Sequence, residues 1–317
     1  MAGGLDYRVV LAAVADVDGK GQVAARKAVE LAHLTNAEVV LYHASYESSL
    51  NGLRFFDNAG LGRARREHVA NSRKALQELA QRLCSSAVSV RALVEWKKSV
   101  AEGVVRAALR EHADLVVAEP RYQGTRRHRL GLTHTDWELV RVCPMPLLFT
   151  KTAAPYSAPS ITAAVDPGSH QERESALDVN IVGSAAALAK LTNGSVELVH
   201  VIHMPPRPLG VAPKTLRKET RRVETLLKRL GRGAGLKPSS VRVVEGQPVD
   251  TLLELVSAES RDLIVMGTFV TGPVRHALFG STAERILNLA PCDVLILKPD
   301  GFISPVPPPT RRGRGGT

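Results

Sequence analysis

Residues 262–287, DLIVMGTFVTGPVRHALFGSTAERIL, decide the fold. Four consecutive apolar residues end at Gly267, a loop follows, and Gly280-Ser281-Thr282 opens a segment with helical spacing. A short, wholly apolar run bounded by glycine reads as a strand buried on both faces, the kind that fills a parallel sheet. The helix start that follows would point unpaired N–H groups outward, and its dipole favours an anion there. The stretch is not a P-loop, because no Gly-Lys-Ser/Thr closes it.

Working outward, the same unit occurs twice. RVVLAAVAD (8–16) and SITAAVDPG (160–168) are apolar runs closing on Asp16 and Asp166. AEVVLYHA (37–44) pairs with GSVELVHVIH (194–203), and ADLVVAE (113–119) pairs with RDLIVMG (261–267). Each half closes with a proline-marked strand, CPMPLLFTK (143–151) and APCDVLILKP (290–299). Between the strands lie amphipathic segments such as 23–35, 70–83, 99–112, 214–230 and 248–260. Strands alternating with helices predict an α/β protein of two tandem doubly wound domains, each a parallel sheet with helices on both faces. The predicted limits are 1–151 and 160–300. Between them, 152–159 is an Ala- and Pro-rich linker, and 301–317 is a flexible Pro/Arg/Gly tail.

A chain of 317 residues suits two domains of about 150 residues each. No apolar run approaches the roughly 20 residues a membrane span needs. The N-terminus leads straight into a strand, leaving no room for a signal peptide, so a cytoplasmic location is expected. Three scattered cysteines without a Cys-x-x-Cys suggest neither disulfides nor a cysteine-built zinc site. The net charge of +11 favours polyanions at low salt. Much of it lies in LRKETRRVETLLKRLGR (216–232) and the RRGRGG tail, a pattern that solvated helix faces also produce.

Gly267-Thr268, Leu278 to Glu284 and Cys292-Asp293 in the second half, and THTDWELVRVCPMP (133–146) in the first, resemble the universal stress protein family in its tandem form. The resemblance implies five parallel strands per domain in the order 3-2-1-4-5, and domains paired about a pseudo-twofold axis. It also implies a nucleotide pocket wherever G-x2-G-x9-G-[S/T] is kept. In that pattern the first two glycines let the backbone turn beneath the phosphates, and the last glycine with its hydroxyl residue begins the receiving helix.

The second half keeps only part of this pattern. Gly267 and Gly280-Ser281 are correctly spaced, but Val270 stands where the second glycine belongs and Phe269 replaces a short polar residue. A β-branched side chain resists positive φ and fills space meant for phosphate oxygens. In the first half Glu119 stands opposite Gly267, and Thr133-His134-Thr135 opposite Gly280-Ser281-Thr282, so no nucleotide motif remains. Asp166, Val201, Gly267, Gly280, Ser281 and Thr282 are therefore the candidate ligand residues. Each has a plainer reading: Ser281 to Glu284 and Thr135 to Glu138 are also capping boxes, and Asp166 is also a turn former.

His200 and His203 lie three apart on a strand and face opposite sides, so no metal site is expected. No nucleophile elbow and no placeable carboxylate pair argues for catalysis. The expected function is a non-enzymatic stress-response protein holding a small anionic or partly apolar ligand in the second-half crevice, with no cofactor. An ATP- or AMP-binding regulator and a nucleic-acid-associating protein are the alternatives, and homodimerisation stays open.

Overall fold

The computed structural model describes residues 7–17, 19, 22–50, 58–121, 132–167, 172–203, 213–268, 270–271, 278–279 and 281–308. For residues 58, 59, 172–175, 213, 270, 271, 278, 279, 281 and 282 it describes the backbone alone. The chain divides into two compact units. One holds Tyr7–Glu119 and Thr133–Met145, rejoined by the chain from Ile303, and the other is built on Pro146–Phe302.

The N-terminal unit runs β1 Val9–Ala13, α1 Val23–Thr35, β2 Glu38–Ser45, α2 Asn58–Leu83, β3 Val90–Trp96, α3 Val100–Arg110, β4 Leu115–Ala118 and α4 His134–Val142. Its strands are parallel in the order β3-β2-β1-β4. The C-terminal unit runs β5 Leu147–Phe149, β6 Ser160–Ala164, α5 Glu172–Thr192, β7 Ser195–His203, α6 Pro213–Gly233, β8 Val241–Gly246, α7 Pro248–Ala258 and β9 Leu263–Gly267. It continues through the short pair β10 Val270–Thr271 and β11 Leu278–Phe279, then α8 Ser281–Leu289 and β12 Asp293–Leu297. Its five second-half strands are parallel in the order β8-β7-β6-β9-β12, the expected 3-2-1-4-5. β5, which closes the first half in sequence, lies in this unit antiparallel to β12.

The apolar runs become strands because both sheet faces are covered. Val10, Leu11, Ala12, Val116, Val117, Leu263, Ile264 and Val265 are almost wholly buried. Each such Val, Leu or Ile contributes roughly 1.5–3 kcal/mol when withdrawn from water. α1 lies close on the sheet because its inner face is small: Ala24, Ala25, Ala28 and Ala32 beside Leu31. It ends at Asn36 in the left-handed conformation (φ 54°), and the chain after α5 turns at Asn193 with the same φ, a position Asn tolerates better than most residues. Ser99 caps α3 by accepting from the Glu102 N–H at 3.2 Å.

Both units lock strand starts in the same way. Asp114 accepts the N–H groups of Arg8 and Val9 at 2.8 and 3.1 Å, and Asp262 accepts that of Ser160 at 2.8 Å. Arg91 binds Glu38 and, at 2.7 Å, Glu111; Arg242 binds Glu197 at 2.8 Å and Glu259 at 2.5 Å. Burial raises the Glu111 pKa, but hydrogen bonds from Arg110 and Arg91 outweigh it and hold the carboxyl below its usual range.

Two segments outside the predicted domains make specific contacts. The first is the linker. Asp293 is fully buried, and its carboxylate accepts from the Lys151 and Thr152 backbone N–H groups (2.7 and 3.0 Å), the Thr152 hydroxyl (3.3 Å) and the Tyr156 hydroxyl (2.7 Å). Lys151 Nζ donates to the carbonyls of Leu287 and Ala290, which α8 leaves open at its end. The second is the segment after residue 300. The Ser304 hydroxyl donates to the Val142 carbonyl at 2.6 Å, and Val306 is 4% exposed in the N-terminal unit. The Pro- and Gly-rich composition rules out an element here, yet it leaves room for docking. Residues 309–317 lie outside the described residues.

Candidate functional site

The C-terminal unit has its topological switch at the carboxyl ends of β6 and β9. The chain moves one way from β6 to β7 and β8, then returns to β9 on the other side of β6. Helices on opposite faces part there, and in open α/β sheets this is where ligands bind. Asp166 lies two residues beyond β6, its side chain 75% exposed. Its own N–H is held by buried Asp178 of α5 at 3.1 Å, so the carboxylate is presented from an anchored turn.

His200 of β7 stands beside it, with Nδ1 3.6 Å from Asp166 Oδ1 and its side chain 14% exposed. The same Nδ1 lies 3.0 Å from the Val165 carbonyl. A carbonyl can only accept, so Nδ1 carries the proton and a neutral ring keeps Nε2 as an acceptor. His43 makes the matching bond to the Val14 carbonyl at 2.8 Å in the N-terminal unit. His200 is not among the residues expected from sequence beside Asp166; its recurrence in VLYHA and ELVHV is the signal that marks it. Val201, the next residue on β7, points its side chain to the other sheet face and pairs in register with Val244. His203 ends the strand exposed, and among the described residues no group of three or more metal-ligating side chains could hold an ion.

Gly267 closes β9. A Cβ placed on it would lie 2.4 Å from Leu177 Cδ2 and 3.2 Å from Ile181 Cδ1, both on α5. The missing side chain therefore admits an apolar helix face, which is a packing role sequence reading did not find. Thr268 is buried and turned toward β12: its N–H donates to the Leu297 carbonyl at 3.0 Å and its hydroxyl accepts from Lys298 Nζ at 2.9 Å. Val270 and Thr271 then pair antiparallel with Phe279 and Leu278. The backbone on either side of the loop is thus bonded to itself, directly before α8 begins at Ser281. Phe269 and Gly280, and the side chains of Val270, Ser281 and Thr282, lie outside the described residues.

The corresponding corner of the N-terminal unit is closed by its own acid. Glu119, expected to repel a phosphate, accepts the Val23 N–H at the start of α1 at 3.3 Å. Gln22 offers that helix no side-chain cap, so a carboxylate from the end of β4 serves its dipole instead. At α4 the capping box is Thr133 with Asp136, two residues before the expected Thr135 and Glu138. Glu138 instead accepts from the Ser99 hydroxyl at 3.4 Å.

The sequence pattern that defines the universal stress protein family matches residues 6–151 and again 160–298. The chain belongs to the universal stress protein family. Among its relatives, universal stress protein E of Escherichia coli K12 is 26% identical over 253 residues, 77% of this chain and 79% of that one. Universal stress protein E of Photorhabdus laumondii is 23% identical over 309 residues, 93% and 96% of the two chains. A solved structure of a functionally unknown protein from Pseudomonas aeruginosa PAO1 superposes with a TM-score of 0.72 at 24% identity, covering 93% of each chain. A universal stress protein from Archaeoglobus fulgidus gives 0.65 at 14% identity over 92% of this chain and 98% of its own. These likenesses span both halves, so the tandem arrangement is common to the group.

Proposed function

We propose that this universal stress protein is a non-enzymatic, cytosolic stress-response protein. It holds a small ligand, anionic at one end and partly apolar, in the crevice at the carboxyl ends of β6, β7 and β9. The observation carrying this reading is the pairing of Val270 with Phe279. A phosphate cradle needs backbone N–H groups turned toward the ligand, and an extended segment paired with its neighbour turns every other one of them to that neighbour instead. The contact of Leu177 with the open side of Gly267 argues the same way, since it lines the β9 corner with hydrocarbon. Gly280, Ser281 and Thr282 at the start of α8 are assigned the anionic group. Asp166 faces a hydroxyl or ammonium of the ligand, and Val201, whose side chain lies on the other sheet face, meets it with its backbone.

Native mass spectrometry of protein purified without added ligand, followed by identification of whatever denaturation releases, tests the reading. The expected result is a bound small molecule other than a nucleotide. Stoichiometric ATP or AMP would overturn it.

A further inference from the structure

The outward face of α6 has no role in the ligand site, and its chemistry is unusually uniform. The helix carries eight basic residues against Glu219 and Glu224. At 100° per residue, Lys214, Arg217, Lys218, Arg221, Arg229 and Arg232 fall within about 120° of arc, with Thr225 and Lys228 interleaved. All six are exposed. The two acids lie outside this stripe, each already held: Glu219 by Arg222 at 3.2 Å and Glu224 by Lys228 at 2.5 Å. Among the described residues, Lys214, Arg217, Lys218, Arg221 and Arg229 face no carboxylate within ion-pair distance. The opposite face, with Val223 and Leu227 buried, rests on the sheet. The helix in the same place of the N-terminal unit, α2, differs: Glu67, Asn71, Gln77 and Glu78 interrupt its exposed basic residues. Five unneutralised cations in a single row repel one another, and a solvated face has no need of them.

We propose that this face of α6 docks the phosphodiester backbone of nucleic acid. From Lys214 to Arg232 the row is about 27 Å long, with a cation at nearly every turn, which matches a polymer bearing one charge per ~3.4 Å of strand. A membrane surface fits less well. Interfacial helices bury an apolar face among lipids, and the apolar face of α6 is already used by the sheet. α6 holds no aromatic, Asn or Gln side chain with which to read or stack on bases. Binding is therefore independent of sequence and steeply dependent on salt.

Fluorescence anisotropy of the full chain with a labelled 20-base-pair DNA duplex tests this. Five phosphate contacts give a slope of log K against log[salt] near about −4.5, a loss of roughly 500-fold between 50 and 200 mM salt. The variant Lys218→Gln/Arg221→Gln/Arg229→Gln should lose about 500-fold at 0.1 M salt and flatten the slope by about 2.7, with an unchanged melting temperature. Arg222→Gln/Lys228→Gln, which touches cations already paired, should lose far less. Absence of wild-type binding at 50 mM salt, equal affinity in the triple variant, or binding lost on removal of residues 309–317 alone would each overturn the proposal. So would loss in the triple variant of binding to phosphatidylserine vesicles while duplex affinity stays intact.

Discussion

Replacing Gly267 with alanine separates a packing role from a ligand role. The added Cβ would lie 2.4 Å from Leu177 Cδ2 and 2.9 Å from Leu177 Cγ, well inside contact distance. Leu177 and Ile181 are both almost fully buried, so neither can swing into solvent. Overpacking of this kind costs about 1–3 kcal/mol. For a unit of this size, each 1 kcal/mol lowers the melting temperature by about 2–4 °C. Thermal unfolding followed by circular dichroism, without ligand, should therefore show the C-terminal unit melting several degrees early. Leu177→Ala by itself costs about 2–5 kcal/mol through the cavity it leaves. In that background Gly267→Ala should become nearly free, giving a coupling of at least about 1 kcal/mol between two residues that touch. If Gly267 serves only to admit a ligand, the variant would keep apo stability within about 0.5 kcal/mol, and the packing argument would be refuted.

The remaining predictions concern other buried groups and the loop. Asp293→Asn removes the charge that gathers four donors and should destabilise the C-terminal unit by about 2–3 kcal/mol; Tyr156→Phe should cost about 1 kcal/mol, both measured by urea titration. Burial of Cys292 pushes its thiol pKa up to about 12, so a thiol reagent at pH 8 should label exposed Cys84 readily and Cys292 only after denaturation. The folded-state pKa is raised, so the neutral thiol favours the native state below the unfolded thiol pKa of about 8.5; that contribution should disappear as pH rises from there toward 12. Val270→Gly restores the flexibility a phosphate cradle needs, and calorimetry should find at least a tenfold gain in ATP affinity over wild type. An unchanged isotherm would count against the role given to Val270.

Most of the fold was legible because buried parallel strands leave a strong trace. Runs such as LVVA and LIVM cannot stay in water and cannot alternate, and their repetition fixed the tandem plan before any contact was known. Partnership was much less legible. CPMPLLFTK announced a strand, but an all-apolar run does not say on which neighbour or in which direction it pairs, so the antiparallel match of β5 to β12 came only from the structure. Arg91 with Glu38 and Arg242 with Glu197 lie 53 and 45 residues apart, a separation at which side-chain pairs leave no periodic signal. Glu119 was read as a repulsive charge because the sequence displayed its sign and hid its target, the α1 N-terminus. At the site, Asp166 was found from its place after a strand. His200 is not legible from its spacing to His203, because its partner is a backbone carbonyl, which leaves no trace in side-chain spacing.

Isothermal titration of ATP with magnesium into the ligand-free protein bears most directly on the crevice. With the 270–271 and 278–279 backbone bonded to itself and hydrocarbon against Gly267, no heat of binding is expected below millimolar ATP. A micromolar, one-to-one isotherm that vanished in Gly280→Val would contradict the account.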